Sequence, residues 1–167
     1  MKDLKFTSRS VLAWPASAVI IAMALFAISC SSKSAPNQYE YDGIFFPRQQ
    51  ATVAVMEAIL VGKLVKVDGC LRINDSNSET SYLVVWPFGY SLKIVNGVIM
   101  VMDGSGKTRV RVGEEVFVSG GETRSVEGIA ALDDQLKREL STRCPGPYWM
   151  VGSEVRRAGS MGKSNQE

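Results

Sequence analysis

The chain has 167 residues, 46% of them hydrophobic, with 19 basic and 17 acidic side chains and no histidine. That length suits one domain with a buried core. Without histidine, Ser-His-Asp and Cys-His catalysis are excluded; with charges this nearly balanced, no basic face for nucleic acid is expected.

The first element is a leader. Lys2, Lys5 and Arg9 precede a single apolar run from Val11 to Ser29, and Cys30 follows, with the polar spacer Ser31-Ser32-Lys33-Ser34 behind it. Ala27 and Ser29 supply the small residues that signal cleavage requires. The order resembles a bacterial lipoprotein signal, cut just before a cysteine that becomes diacylated. The resemblance implies a signal peptide over 1–29, lipidation of Cys30, and a place on the bacterial cell membrane or outer membrane, facing the periplasm or exterior. Two acyl chains anchor stably where one is marginal. The other reading of the run is an uncleaved membrane helix, since about 19 apolar residues can cross a bilayer. Pro15, early in the run, and Cys30 at its end favour cleavage.

Three basic residues and one acidic residue precede Cys30, so residues 30–167 carry 16 of each sign. The basic pI belongs to the leader. With Cys30 assigned to lipid, Cys70 and Cys144 remain as a pair, and outside the cytoplasm such a pair forms a disulfide. There is no Cys-x-x-Cys, and neither a metal nor a cofactor is expected.

Residues 30–44 read as the lipidated N-terminus and a flexible tether, 45–155 as a single mainly-β domain, and 156–167 as a flexible tail. From Val53 to Val118 the pattern is almost all strand. Ala58–Val67 is rich in β-branched residues, Gly69 leads into Cys70-Leu71-Arg72-Ile73, and the polar loop 75–81 precedes Tyr82-Leu83-Val84-Val85-Trp86. Asn96-Gly97 between Ser91–Val95 and Val98–Met102 is a strong hairpin signal. Thr108–Val112 and Val116–Val118 are further strands, bounded by glycine turns. A helix is expected from Gly128 to Leu140, because Ile129, Leu132, Leu136 and Leu140 form one apolar stripe. After Cys144-Pro145-Gly146-Pro147 a last strand begins at Tyr148. Short antiparallel strands at this spacing, with one amphipathic helix, predict a small antiparallel β-barrel or sandwich, with an OB-like barrel compatible.

Two patterns point to chemistry and are set aside. Gly104-Ser105-Gly106-Lys107-Thr108 carries the end of a phosphate-binding loop, but Val101 stands where its first glycine belongs, and a strand follows instead of a helix. The acidic pairs Glu114-Glu115 and Asp133-Asp134 have ordinary explanations in a turn and near a helix start. Asp103 with Glu122, if brought together, would be the carboxylate pair of a hydrolase. No catalytic residue is assigned.

The aromatic loops are the candidate ligand site. Trp86-Pro87-Phe88-Gly89-Tyr90 sets three aromatics beside a stiff proline, and Tyr148-Trp149 follows the second proline-rich turn. Rigid aromatics offer large contact area at little entropic cost. The competing reading, which is favoured, is that Trp86 and Trp149 fill the core.

Gly69-Cys70-Leu71-Arg72, Tyr82-Leu83-Val84-Val85-Trp86-Pro87, Val112-Gly113-Glu114-Glu115-Val116 and Cys144-Pro145-Gly146-Pro147-Tyr148-Trp149 together resemble a group of small bacterial exported proteins and lipoproteins. The resemblance covers about Ala58 to Gly152, implies an envelope address, fits a Cys70–Cys144 bridge and carries over no functional residue. The expected role is a non-catalytic binding or assembly module, anchored to the membrane, with an envelope protein or glycan as partner. The alternatives are a structural envelope protein without a small ligand and a cell-wall-directed hydrolase.

Overall fold

In a computed structural model, residues 38–50, 56–127 and 129–159 are described. The expected leader 1–29, Cys30, the tether to residue 37, the strand start at Val53, Gly128 and the tail from residue 160 lie outside them.

Three two-residue turns organise the first strands. Asp42-Gly43, Asp68-Gly69 and Asn96-Gly97 each have positive φ at both positions, the geometry that matches the right-handed twist of a hairpin. They join β1 (Glu40–Tyr41) to β2 (Ile44–Phe45), β3 (Ala58–Val67) to β4 (Cys70–Asp75), and β6 (Ser91–Val95) to β7 (Val98–Met102). The remaining elements are β5 (Ser81–Val85), β8 (Thr108–Arg111), β9 (Glu115–Thr123), α1 (Asp134–Arg143) and β10 (Tyr148–Arg157).

The large sheet runs β1-β2-β4-β3-β9-β10-β5, and β4 also pairs with β5. The hydrogen-bonded neighbours β4, β3, β9, β10 and β5 therefore return on themselves. A separate sheet, β6-β7-β8, packs its Leu92, Val101 and Val110 into the same core. Among the described residues the protein is mainly β with one helix, as the strand spacing predicts. Within the expected antiparallel framework two pairs run parallel: β5–β10, with Trp149 opposite Val84, and β2–β4, with Phe45 opposite Cys70.

The β5–β10 pair is covered on both faces. Tyr82, Val84, Trp86, Trp149 and Val151 point into the cluster enclosed by the strands, whereas Leu83, Val85, Tyr148 and Met150 pack with Leu132, Leu136 and Leu140 under the helix. A strand covered on both sides has no polar face to show, which is why β5 reads as an unbroken apolar run. Cys70 and Cys144 form the expected disulfide, with Cα atoms 6.1 Å apart, and it ties the start of β4 to the end of α1.

The helix starts later than its apolar stripe suggests. Asp133 is the N-cap, its side chain accepting from the Leu136 N–H at 2.6 Å. Ile129 and Leu132 reach the same cluster from i→i+3 turns instead, with Leu132 N–H bonded to Ile129 O at 3.2 Å. An aspartate side chain that satisfies a free helical N–H fixes the start behind it.

Both expected domain edges move outward. Tyr39, Ile44 and Phe45 are buried, so the fold begins inside the stretch read as tether; its polar letters hide an Asp-Gly hairpin. At the other end Arg156 and Arg157 are strand residues opposite Phe117 and Val116. The Arg156 guanidinium lies 4.3 Å from the Phe117 ring centre, and Arg157 pairs with Glu114 at 3.0 Å. Arg156 shares the strand face of Phe117 and covers its ring with a long side chain whose charge can stay in water.

Candidate functional site

Of the five aromatics proposed from the sequence, four are interior. Trp86 is fully buried between Phe46 at 5.5 Å and Tyr90 at 6.2 Å, both stacked. Trp149 meets Tyr82 edge-on at 5.6 Å, and Tyr148 packs under the helix. The indole N–H groups of Trp86 and Trp149 have no acceptor among the described residues, so both act there as apolar filling. Trp86 and Trp149 thus fill the core, as the favoured reading has it, Tyr90 and Tyr148 join them, and of the five proposed aromatics only Phe88, 66% exposed, is left to a ligand. The reason is geometric, since Trp86 continues the inward alternation of Tyr82 and Val84 and only the proline turn after it frees Phe88.

Phe88 overhangs a cleft of about 500 Å³ lined also by Gln38, Tyr39, Arg48, Gln49, Gln50 and Gly89. Its polar groups are largely engaged within the fold. The buried Gln49 donates to Val151 O at 2.7 Å and Val85 O at 3.5 Å, bridging the parallel strands. Arg48 donates to Gln38 O at 3.1 Å and Tyr90 O at 3.4 Å. Tyr39 and Gln50 both donate to Asp133, the helix cap. Burial works against the Asp133 charge, but the bonds from Tyr39, the Leu136 N–H and Gln50 outweigh it and hold the carboxyl below its usual range. Burial, and then the bond to Asp133, push the Tyr39 phenol well above its ordinary value.

The opposite end of β5 is different. A cleft of about 730 Å³ is lined by Asp75, Ser78, Thr80, Tyr82, Glu122, Arg124 and Pro147. Tyr82 donates to Glu122 at 3.1 Å, and Arg124 reaches the other Glu122 oxygen at 3.4 Å with its side chain 91% exposed. The Tyr82 phenol is raised by burial and by Glu122. Asp75 is held below the usual carboxylate range by the Asn77 N–H and the Ser78 hydroxyl. Two carboxylates, three hydroxyls and a guanidinium thus face one solvent-open hollow.

The suspected pairing of Asp103 with Glu122 is not how either carboxylate is used. Asp103 organises the β7–β8 turn, accepting from the Ser105 hydroxyl at 2.6 Å, from the Ser105 and Lys107 N–H groups, and from Arg109 at 2.6 Å. The Gly104–Thr108 segment is therefore a hairpin turn, as its alternating sequel predicts. Among the described residues no group of three His, Cys, Asp or Glu side chains is placed to hold a metal ion.

No local signal marks Tyr82 as a cleft residue, because its strand position says core; nor Arg48 and Gln50, which the tether reading left beside a domain edge. Comparison with known families, with curated proteins and with solved structures finds no match to this chain.

Proposed function

We propose that this is a lipid-anchored protein of the bacterial cell envelope, held to the membrane at Cys30, that works as a non-catalytic binding module. The leader pattern and the likeness to small exported proteins support the address, and the Cys70–Cys144 disulfide is in keeping with an oxidising compartment. The ligand is a cell-wall glycan presenting hydroxyl and amino groups, taken in the Tyr82–Glu122 cleft.

The observation that carries this reading is the composition of that cleft: carboxyl acceptors, hydroxyls and a guanidinium around a solvent-open hollow at the Pro147 turn. Glycans are recognised by such hydrogen-bonding sets. By analogy of fold, OB-like barrels take oligosaccharides on the face of their second and third strands and the loop between their fourth and fifth; in the strand ring these correspond to β4, β5 and the β9–β10 connection, which line the cleft. The hydrolase alternative is decided by the test below, because a carboxyl held below its usual range, as Asp75 is, suits the ionised member of a glycosidase pair as well as a plain hydrogen-bond acceptor.

The test is calorimetric titration of the protein with soluble cell-wall glycan fragments. Saturable binding that weakens at least tenfold in Glu122→Gln and in Arg124→Ala supports the reading. Binding that neither substitution alters removes the cleft, and no binding at all favours a structural envelope role or a protein partner. Release of shortened fragments on incubation would instead establish a hydrolase.

A further inference from the structure

We propose that Phe88 and Tyr41 seat the domain on the bilayer that carries its N-terminal anchor, so that the Phe88 end faces lipid and the Tyr82–Glu122 cleft faces away. The inference rests on the membrane-anchored reading above. It holds for an acylated Cys30 and for an uncleaved apolar run alike, because both leave the chain at the membrane near residue 30.

Covalent reach limits how far the domain can stand from its anchor. Cys30 and Gln38 are eight residues apart in the chain, which spans at most about 28 Å when fully extended, close to the width of a small domain. The domain surface around Gln38 therefore cannot leave the vicinity of the membrane.

Gln38 stands at the edge of two hollows. It lines the Phe88 cleft, and it also lines a narrower groove of about 190 Å³ with Tyr41, Arg48, Ser91 and Leu92. Phe88 is 66% and Tyr41 50% exposed, and among the described residues they are the exposed large hydrophobics that are aromatic. One borders each hollow at the point where the tether arrives. Aromatic side chains are favoured at the membrane–water interface, where a flat apolar ring meets headgroups.

The polar groups fit the same occupant. Arg48, shared by both hollows, gives two N–H groups to carbonyls, and a guanidinium has five; the rest suit a lipid phosphate. Glu40, in the narrower groove, is neutralised by Arg143 at 2.8 Å. Asp42 follows Tyr41 in the chain and offsets the Arg48 charge, so the patch carries little net charge, the attraction comes chiefly from ring burial, and it is expected to vary little with salt.

The experiment uses the full chain, produced with its own leader and reconstituted into vesicles of phosphatidylethanolamine and phosphatidylglycerol. An environment-sensitive thiol dye is placed by Ser91→Cys, beside Tyr41, or by Asn77→Cys, in the β4–β5 loop at the far end of β5. The expected result is a blue-shifted emission at position 91, quenched by lipid-chain quenchers and almost unchanged by salt, with a water-like emission at 77. Adding Phe88→Ser and Tyr41→Ser should return position 91 to the water-like value, and Phe88→Ser alone should do so in part. Water-like emission at both positions in vesicle-bound protein overturns the seat and leaves the anchor standing. Lipid-like emission at both overturns the orientation. Protein that does not sediment with the vesicles overturns the anchor and the seat with it.

Discussion

Cys70, the first residue of β4, is bonded to Cys144, the C-cap of α1, across 74 residues of chain. The bond clamps the helix against the outer face of β5 and β10, where Leu136, Leu140 and Met150 are buried. Its loop encloses most of the β-structure, so its loss acts on the unfolded chain as well as on the helix. Chain entropy for a loop of this length is worth about 4 kcal/mol. Replacing both cysteines by serine should lower the thermal midpoint by roughly 15 °C, measured by circular dichroism under non-reducing conditions. A change of only a few degrees would mean that helix packing alone fixes this corner.

Trp86 and Phe88 should separate cleanly under substitution, although both belong to one aromatic loop. Trp86→Ala opens a hole beside Phe46 and Tyr90 and should cost about 3–5 kcal/mol. Trp86→Phe should cost much less, since the indole N–H it removes has no acceptor among the described residues. Phe88→Ala should stay within about 0.5 kcal/mol. Urea unfolding of the three variants measures this, and a large loss at Phe88 would place that ring in the core.

Asp133 joins the helix to Tyr39, the first buried residue among those described. It caps α1 at Leu136 N–H and accepts from Tyr39 and Gln50. Asp133→Ala should cost about 2 kcal/mol, at the upper end for a cap because two further donors lose their acceptor. Tyr39→Phe should cost less and keep the helix. Amide hydrogen exchange in α1 distinguishes them, with faster exchange of the first turn expected in Asp133→Ala alone.

Asp103 gives the β7–β8 turn a pH dependence. The Ser105 hydroxyl, followed by the Lys107 N–H, Arg109 and the Ser105 N–H, holds its carboxyl well below the usual range against a smaller effect of burial. A carboxyl depressed in the folded state binds protons more readily when unfolded, at about pH 3.9. Its stabilisation is therefore complete above about pH 5 and lost as the pH falls from there toward the lower folded value. Asp103→Asn should be less stable than the parent at pH 6, and the difference should shrink at pH 3. Urea midpoints at the two pH values test this, and a difference that grows on acidification would reverse the assignment.

Gly62 marks a close backbone approach within β3. A Cβ there would stand 2.1 Å from Asn74 O on β4, and a backbone oxygen in a paired strand cannot move aside. Gly62→Ala should prevent the β3–β4 register from forming and leave the protein largely unfolded, seen as loss of near-ultraviolet dichroism. Native dichroism in that variant would show that the strands can separate locally.

Much of the fold was legible because it is encoded in short-range signals. The Asn96-Gly97 hairpin lies where the dipeptide demands, since both positions need positive φ, and Thr108–Arg111 alternates as a strand. The cysteine pair followed from counting. The edges were less legible: Asp42-Gly43 is the same kind of turn signal, but it sits in a polar stretch, and Arg156-Arg157 look like tail until Phe117 and Glu114 are seen beneath and beside them.

By itself the sequence determined the β-rich class, the turns and the cysteine pair, because backbone sterics and the alternation of side chains act over a few residues. The tertiary structure alone decided that β10 returns parallel to β5, that Tyr90 and Tyr148 join Trp86 and Trp149 in the interior while Phe88 does not, and that Tyr82, Asp75, Glu122 and Arg124 share one cleft. Those outcomes depend on pairing between strands as far apart as residues 83 and 148. No local preference encodes such pairing; it follows from how two apolar faces of the same strands are both kept from water.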